Sequence, residues 1–426
     1  MHNSLKERDK KVNWHPYTQM KTADDIIPIL RGEGAYLYDT EGKRYIDAVS
    51  SWWVTLHGHS NPFIAKKVAE QLLVLEQVIF AGFTHQPAVE LSEKLLGLLP
   101  ANQQKVFYTD NGSTAVEAAL KMCVQYACNN GLKKTKILAF KNGYHGDTFG
   151  AMSVSSRSKW TEPFKELLFE VIYIETPTKE NFDDTKAVIE KHIDELACFI
   201  YEPLVQGAAG MLMHEPENLS RLMQHCRSNG ILMIQDEIFT GFGRTGRLFA
   251  ADYLTEQPDI MCFSKGLTGG FFPLGITTCS EAIYEAFYSD DPYKTLFHGH
   301  SFTANPSACT AALASLELLL SAQTQLNIQR ISKEHEKFAA DLDGHPKIKE
   351  TRQQGTILAI ELQTANKSSY FNNQYAHLYS HFLNEGILLR PLGNIIYLVP
   401  PYCISNDDLH YIYSTIKKML DSLQSH

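Results

Sequence analysis

Five short polar clusters in this chain of 426 residues carry residue types suited to covalent chemistry: Asp110-Asn111-Gly112-Ser113, Asn142-Gly143-Tyr144-His145, Glu202, Asp236-Glu237 and Lys265. Gly112-Ser113 opens a helical pattern, where backbone N–H groups, a hydroxyl and the positive end of the helix dipole suit a phosphate. The Tyr144 ring suits stacking on a flat ring. The Asp236 carboxylate suits a protonated ring nitrogen, a charge-assisted bond of about 1.5–3 kcal/mol. Lys265, among the small residues of "FSKGLTGG", suits a Schiff base with an aldehyde once partial desolvation lowers its pKa. Polar residues also simply mark strand ends. That plainer explanation covers any single cluster but weakens for five together.

Each cluster follows a short, nearly continuous apolar run: "KVFYT" (105–109), "KILAF" (136–140), "ACFIY" (197–201), "ILMIQ" (231–235) and "IMCFS" (260–264). Such runs are the pattern of strands buried on both faces of a parallel sheet, and most intervals between them hold a crossover helix. Ligands of open parallel sheets sit beyond the carboxyl ends of the strands, where the polar clusters fall. In "NGSTAVEAALKMCVQYA", Thr114 and Glu117 have capping-box spacing, which predicts a helix starting near Ser113. A second helix, "PSACTAALASLELLLSAQ", follows Asn305. Past residue 330, "GTILAIEL" and "GILLRPLGNIIYLVPP" predict an antiparallel sheet with a hairpin, then a terminal helix "NDDLHYIYSTIKKMLDSL". Near the start, "GAYLYDTEGKRYIDAVS" predicts another hairpin turning at Glu41-Gly42. The expected fold class is α/β. A large central domain (61–329) holds a mostly parallel sheet flanked by helices, and both chain ends (1–60 and 330–426) form a small α+β domain.

Net charge is −9 with both signs interspersed, so neither nucleic acid nor an anionic membrane surface is expected as partner. The N-terminal stretch lacks an apolar signal region and no apolar run reaches 18 residues, which predicts a soluble, cytoplasmic protein. Eight scattered cysteines without a C-x-x-C pair are expected as reduced core thiols. The loop "GFGRTG" has the G-x-G-x-x-G form at Gly241, Gly243 and Gly246. A dinucleotide site would need a long helix next and an acidic ribose ligand roughly 20 residues on. The chain instead reaches Pro258 quickly and offers Lys265. His57-x-His59 and His298-x-His300 have metal-ligand spacing, but no acidic or cysteine partners match them, so no metal is expected. A nicotinamide dehydrogenase built on "GFGRTG" and a metal-dependent hydrolase built on the histidine pairs remain as alternatives. Both predict no bound aldehyde.

A phosphate, a pyridine ring and an aldehyde together describe pyridoxal 5'-phosphate (PLP). The chain resembles the class III aminotransferases of PLP fold type I, through "ILMIQDEIFTGFGRTGRLFA" and, with its lysine 29 residues after Asp236, "SKGLTGGFFPLG". The stretches "WHPYTQM" (14–20), "SSWWVTLHGHSNP" (50–62), "YHGDTFGAMSVS" (144–155), "EPLVQGAAGM" (202–211) and "RPLGNIIYLVPPY" (390–402) extend the resemblance over nearly the whole chain. Another class III transaminase, for ornithine or other ω-amines, is a further alternative, against which the first of these stretches speaks, since ornithine and aminobutyrate transaminases lack it. The resemblance is to the branch that aminates 8-amino-7-oxononanoate to 7,8-diaminononanoate in biotin biosynthesis, with S-adenosylmethionine as donor, or lysine in some members. It implies Lys265 as the catalytic Schiff-base and proton-transfer residue, and Asp236 on the pyridinium nitrogen. It places Gly112 and Ser113 at the phosphate and Tyr144 over the ring. It further implies a homodimer in which His300 and Ser301 reach the neighbouring subunit's phosphate and Gly299 lines the substrate site. Tyr17, Trp52, Trp53 and Tyr144 would line the substrate pocket, Tyr17 with a catalytic part, and Arg390 would grip the acceptor carboxylate. Ser301 replaces a threonine of many members, and Trp53 a tyrosine of some.

Overall fold

The computed structural model describes residues 4–364 and 374–423. At its centre lies a seven-stranded sheet of β1 (Gln103–Thr109), β2 (Lys136–Phe140), β3 (Val171–Ile174), β4 (Leu196–Tyr201), β5 (Leu232–Asp236), β6 (Ile260–Phe263) and β7 (Gly275–Ser280), in the order β1-β7-β6-β5-β4-β2-β3. β7 runs antiparallel to both its neighbours, and the other strands are mutually parallel. The five expected strands are all present. β3 and β7 were not anticipated. β3 is a short, half-buried edge strand. β7, "GITTCS", lacks the apolar signature yet is fully buried, because its hydroxyls find acceptors: Thr277 Oγ1 donates to Ala115 O (2.7 Å) and Thr278 Oγ1 to Gln103 Oε1 (2.7 Å).

The helix after β1, α1 (Gly112–Asn129), starts one residue earlier than expected and with a different cap. Asn111 Oδ1 accepts from Thr114 N (3.0 Å), and Thr114 Oγ1 accepts from Asn111 N (3.2 Å). Glu117 does not cap α1. It receives Thr148 Oγ1 (2.5 Å), Gly150 N (2.7 Å) and Ala151 N (3.2 Å) at the start of α2 (Phe149–Val154), because a neighbouring helix offers several orphan donors at once. Between Gly246 and β6, all of it described, the chain forms only a short 3₁₀ turn at Ala250–Tyr253 in place of a long helix.

The two chain ends share a sheet. Ile29–Glu33, Tyr36–Asp39 and Arg44–Asp47 form an antiparallel meander, and Ile387–Leu388 adds to it parallel to Arg44–Asp47. The hairpin at Glu41-Gly42 is present, with Gly42 at φ 86°. The stretch "GILLRPLGNIIYLVPP" turns back on itself as expected, but only through one tight bridge, Leu392 N donating to Ile395 O (2.9 Å) and Ile395 N to Leu392 O (3.1 Å). Interrupted at Pro391 and Gly393, its first half joins the N-terminal meander, and its second half, Ile395–Leu398, pairs with Ile357–Leu362. The other partner of Ile357–Leu362 is Ile348–Gln354, too polar in sequence to read as a strand. From that strand Arg352 pairs with Glu361 (2.7 Å) and donates to Met211 O (3.1 Å) and Gly210 O (2.8 Å), tying the C-terminal sheet to the loop that follows β4.

The helix α3 (Pro306–Leu319) is capped by Asn305, and the next helix, Ala322–Asp341, runs through position 330. Residues from both ends and the centre, among them Ile46, Leu56, Phe263, Ala308, Ile360 and Ile412, share one buried apolar cluster. The terminal helix spans Asn406–Ser422. Six cysteines are buried, Cys128 and Cys403 are exposed, and all eight are free. Among the described residues no helix is long and apolar enough to cross a membrane.

Candidate active site

A cavity of about 680 Å³ opens at the carboxyl ends of the central strands, and each of the five polar clusters contributes to its lining. Lys265 follows β6 at φ 44°, a left-handed conformation that a side-chain-bearing residue holds only when its surroundings enforce it. Its Nζ lies 4.5 Å from the Trp53 ring centroid and 5.7 Å from that of Phe239. Burial brings the Lys265 amine down to about 8, against the opposing pull of Asp236 and Glu202.

Asp236 ends β5 with only 4% of its surface exposed, its Oδ1 accepting from Ile238 N (3.0 Å) and its Oδ2 facing His145 Nδ1 at 2.7 Å. His145 is itself buried, and its backbone N donates to Ser155 Oγ (2.8 Å). Among the described residues its Nε2 has no partner. The sequence places His145 in a polar cluster, but only the fold brings it onto the carboxylate of Asp236. Glu202 holds the main chain on this side, accepting from Tyr144 N (2.9 Å) and Gly207 N (3.0 Å), and burial raises its carboxyl to about 7. Glu237 is raised to about 7 for the same reason but lies outside the cavity lining. It binds Thr240, Gln235 and Ala251 N, pinning the following loop.

At the other end of the cavity Ser113 Oγ accepts from Thr148 N (3.0 Å) and lies 2.7 Å from Thr148 Oγ1. Since the Glu117 carboxylate only accepts, the Thr148 hydroxyl donates to it, and the Ser113 proton is directed at Thr148 or at a ligand. Gly146, at φ 129°, lets this segment close over α1; a Cβ there would sit 2.4 Å from Ser113 Oγ.

Tyr17, Trp52, Arg390 and Trp53, expected from the sequence at the substrate, form a wall beside the cavity. The Tyr17 hydroxyl donates to Asp147 and lies 3.2 Å from the Tyr144 hydroxyl, while its ring meets Trp52 edge-on at 5.4 Å. The Arg390 guanidinium stands 4.2 Å over the Trp52 ring. Trp53 lines the cavity and donates from Nε1 to Tyr397 OH (3.2 Å). Burial, then Tyr17 and Asp147, raise the pKa of the Tyr144 hydroxyl. Asp147 carried no expectation from the sequence. Gly299, His300 and Ser301 do not join this constellation. They lie on a loop flanked by exposed Phe297 and Phe302, whose Ser301 O accepts from Gln77 Nε2 (2.9 Å).

The histidine pairs go separate ways: His57 to Ser315 (3.2 Å), His59 to Asp47 (2.8 Å) and His298 to Lys121 (3.1 Å). The "GFGRTG" loop binds the C-terminal segment instead of a nucleotide. Arg244 donates to Pro400 O (2.9 Å), and Phe242 O accepts from Tyr402 OH (2.7 Å).

Residues 18–420 match the family described as Aminotransferase class-III. The chain belongs to the class III aminotransferases. Among its relatives are adenosylmethionine-8-amino-7-oxononanoate aminotransferases from Synechococcus elongatus, 44% identical with 96% of this chain and 98% of the relative covered, and from Staphylococcus aureus, 36% identical with 98% of each covered. A crystal structure of an enzyme of that name from Methanocaldococcus jannaschii superposes with a TM-score of 0.94 at 36% identity over 99% of each chain. An ω-transaminase from Pseudomonas jessenii in complex with PMP gives a TM-score of 0.92 at 26% identity over 98% of each chain.

Class III aminotransferases depend on PLP, and the central sheet order and mixed helices are those of fold type I. The residues present fit the cofactor. The start of α1 and the Gly146 cradle offer donors without a side chain in the way, a buried carboxylate stands at Asp236, and Lys265 carries an amine poised near neutrality.

Proposed function

We propose that this aminotransferase converts 8-amino-7-oxononanoate to 7,8-diaminononanoate with S-adenosylmethionine as amino donor, a step of biotin biosynthesis. The observation that carries this reading is the wall of Tyr17, Trp52 and Arg390 meeting Tyr144 at the cavity mouth. Its residues come from three of the stretches that mark this branch of the class. The full-length relatives of that name support it.

When bound, PLP supplies an electron sink and carries the amino group between donor and acceptor. In this reading Asp236, oriented by His145, keeps the ring nitrogen protonated. Gly112 and Ser113 bind the phosphate, and Tyr144 covers the ring. Lys265 Nζ takes the proton from the donor α-carbon and returns one in the second half of the cycle, a task suited to a group titrating near 8. Tyr17, Trp52 and Trp53 exclude water and shape the pocket, and Arg390 offers the acceptor carboxylate a planar fork.

The working unit in this reading is a homodimer in the cytoplasm. Lys265 is the sole lysine or arginine among the described residues lining the cavity, so a phosphate dianion there needs further partners. His300 and Ser301 of the partner subunit would supply them, and Gly299 of the partner subunit would complete the pocket. The large domain would span residues 61–329 and the small one the two ends, hinged at the helix Ala322–Asp341.

The test is the visible absorption of the PLP-loaded protein on adding S-adenosylmethionine, lysine or ornithine, followed by assay of 7,8-diaminononanoate. Loss of the cofactor band with S-adenosylmethionine alone, and diaminononanoate formation, are expected. A response to lysine alone changes the donor, and one to ornithine alone refutes the assignment.

A further inference from the structure

Three residues in the four-residue stretch Ser50–Trp53 hold left-handed backbones without being glycine: Ser50 at φ 50°, Ser51 at φ 60° and Trp53 at φ 68°. Each such residue is strained on the order of 1–3 kcal/mol and persists only where its surroundings enforce it. This turn presents Trp52 to Arg390 and Tyr17, and Trp53 to Lys265. Among the groups that hold it, one buried carboxylate takes two backbone N–H groups at its start. Asp47 is fully buried; its Oδ1 accepts from Val49 N (3.1 Å), and its Oδ2 accepts from Ser51 N (2.6 Å) and faces His59 Nε2 at 2.8 Å.

Both flanks of this carboxylate are anchored. His59 is bound through its main chain to Gly34, donating to Gly34 O (2.7 Å) and accepting from Gly34 N (3.2 Å). Asp47 lies opposite Leu388 in the parallel pair that joins the two chain ends, and Arg390 follows two residues later. The Ser50 hydroxyl fixes the turn to Val399 O (2.7 Å), beyond Arg390 in the chain. A single buried carboxylate thus stands between the turn that carries both tryptophans and the strand that delivers the arginine.

We propose that Asp47, held by His59, is a positioning residue for acceptor recognition: it keeps the Ser50–Trp53 turn in its left-handed form, so that Trp52 backs Arg390 where the acceptor carboxylate docks. The assignment rests on the proposed function for the part played by Arg390. It gives His59, half of an otherwise unexplained histidine pair, a task that needs no metal.

The variant Asp47→Asn offers one oxygen where two N–H donors and an imidazole now meet a carboxylate, so an N–H group faces another donor. In the PLP-loaded D47N protein, KM for 8-amino-7-oxononanoate is expected to rise at least tenfold. The rate at which S-adenosylmethionine removes the cofactor band should stay within threefold of wild type, because Trp53, which faces Lys265, is also held by its bond to Tyr397 OH. Tryptophan-fluorescence titration with 8-amino-7-oxononanoate should show the same weakening without turnover. His59→Gln retains a donor toward Asp47 and should stay near wild type, whereas His59→Phe should repeat the D47N pattern. An unchanged acceptor KM in both D47N and H59F, or an equal fall of both half-reactions, overturns the proposal. If D47N does not fold, the H59F and H59Q pair decides by the same criteria. Should the wild-type protein fail to use this acceptor, the proposed function fails by itself. The near-ultraviolet circular dichroism of the tryptophans then decides the positioning role, which requires its loss in D47N and not in H59Q.

Discussion

Lys265 is placed where an ammonium is unwelcome, so removing it should stabilise the cofactor-free protein. Lowering a lysine from 10.5 to about 8 corresponds to roughly 3 kcal/mol of unfavourable burial of the charged form. Its partial exposure to the cavity trims this to about 2 kcal/mol. The Trp53 face, 4.5 Å from Nζ, returns some 0.5–1 kcal/mol by attracting the cation. Lys265→Met keeps the length but not the charge, and should gain about 1–1.5 kcal/mol at pH 7. The sign of the pH dependence follows from linkage. Between about 8 and 10.5 the unfolded chain holds the proton that the folded one has lost, so wild-type stability rises with pH through this window. The advantage of K265M should be full below pH 8 and vanish near pH 10.5. Equilibrium urea unfolding of both cofactor-free proteins, at one protein concentration and across this range, measures it. A K265M variant no more stable than wild type at pH 7, or an advantage that ignores pH, would falsify the reasoning.

Three further outcomes are expected. Gly146→Ala brings a Cβ to 2.4 Å from Ser113 Oγ on a backbone at φ 129°, and should weaken PLP binding at least tenfold in equilibrium dialysis while far-ultraviolet circular dichroism stays native. For Glu202, raised from 4.5 to about 7, the folded state holds the extra proton between those values, so its burial destabilises increasingly as pH rises through them. The urea midpoint of Glu202→Gln, lowered at pH 4.5 by the backbone N–H that loses its acceptor, should rise relative to wild type as pH goes from 4.5 to 8. Arg352→Met leaves Gly210 O and Met211 O without their guanidinium donor and takes the buried guanidinium away from Glu361. Breaking a buried pair costs about 3–5 kcal/mol, here toward the lower end, visible as a lower urea midpoint in the PLP-loaded protein.

The central sheet was legible because its strands are apolar on both faces and end in the residues that line the cavity. β7 escaped because Thr277 and Thr278 satisfy their hydroxyls only through tertiary partners, which no local pattern reveals. The cap of α1 was misread for a related reason: Thr114 and Glu117 have the right spacing, yet Asn111 is the better cap and Glu117 is drawn to a second helix. In the site, the positions of Asp236 and Lys265 at strand ends could be read directly. The pairing of His145 with Asp236, and of Asp147 with Tyr17, joins segments far apart in the chain and shows only when the strands are assembled. The C-terminal hairpin was legible only as a turn, because two apolar runs separated by Pro391 and Gly393 look alike whether they pair along their length or, as here beyond the Leu392–Ile395 bridge, with different sheets.

The parallel pairing of Leu388 with Asp47 also sets an order on how the protein comes into being. During synthesis the Arg44–Asp47 strand emerges roughly 340 residues before its partner, which at 5–20 residues per second is a wait of about twenty seconds to a minute. Once Ser280 has emerged the central sheet has all its strands, while the turn bearing Trp52 and Trp53 still lacks the strand beside it. In the proposed reading, acceptor recognition therefore waits for the C-terminal strand. A chain cut short before residue 387 would keep all the central strands yet lack the arginine and the edge that the tryptophans require.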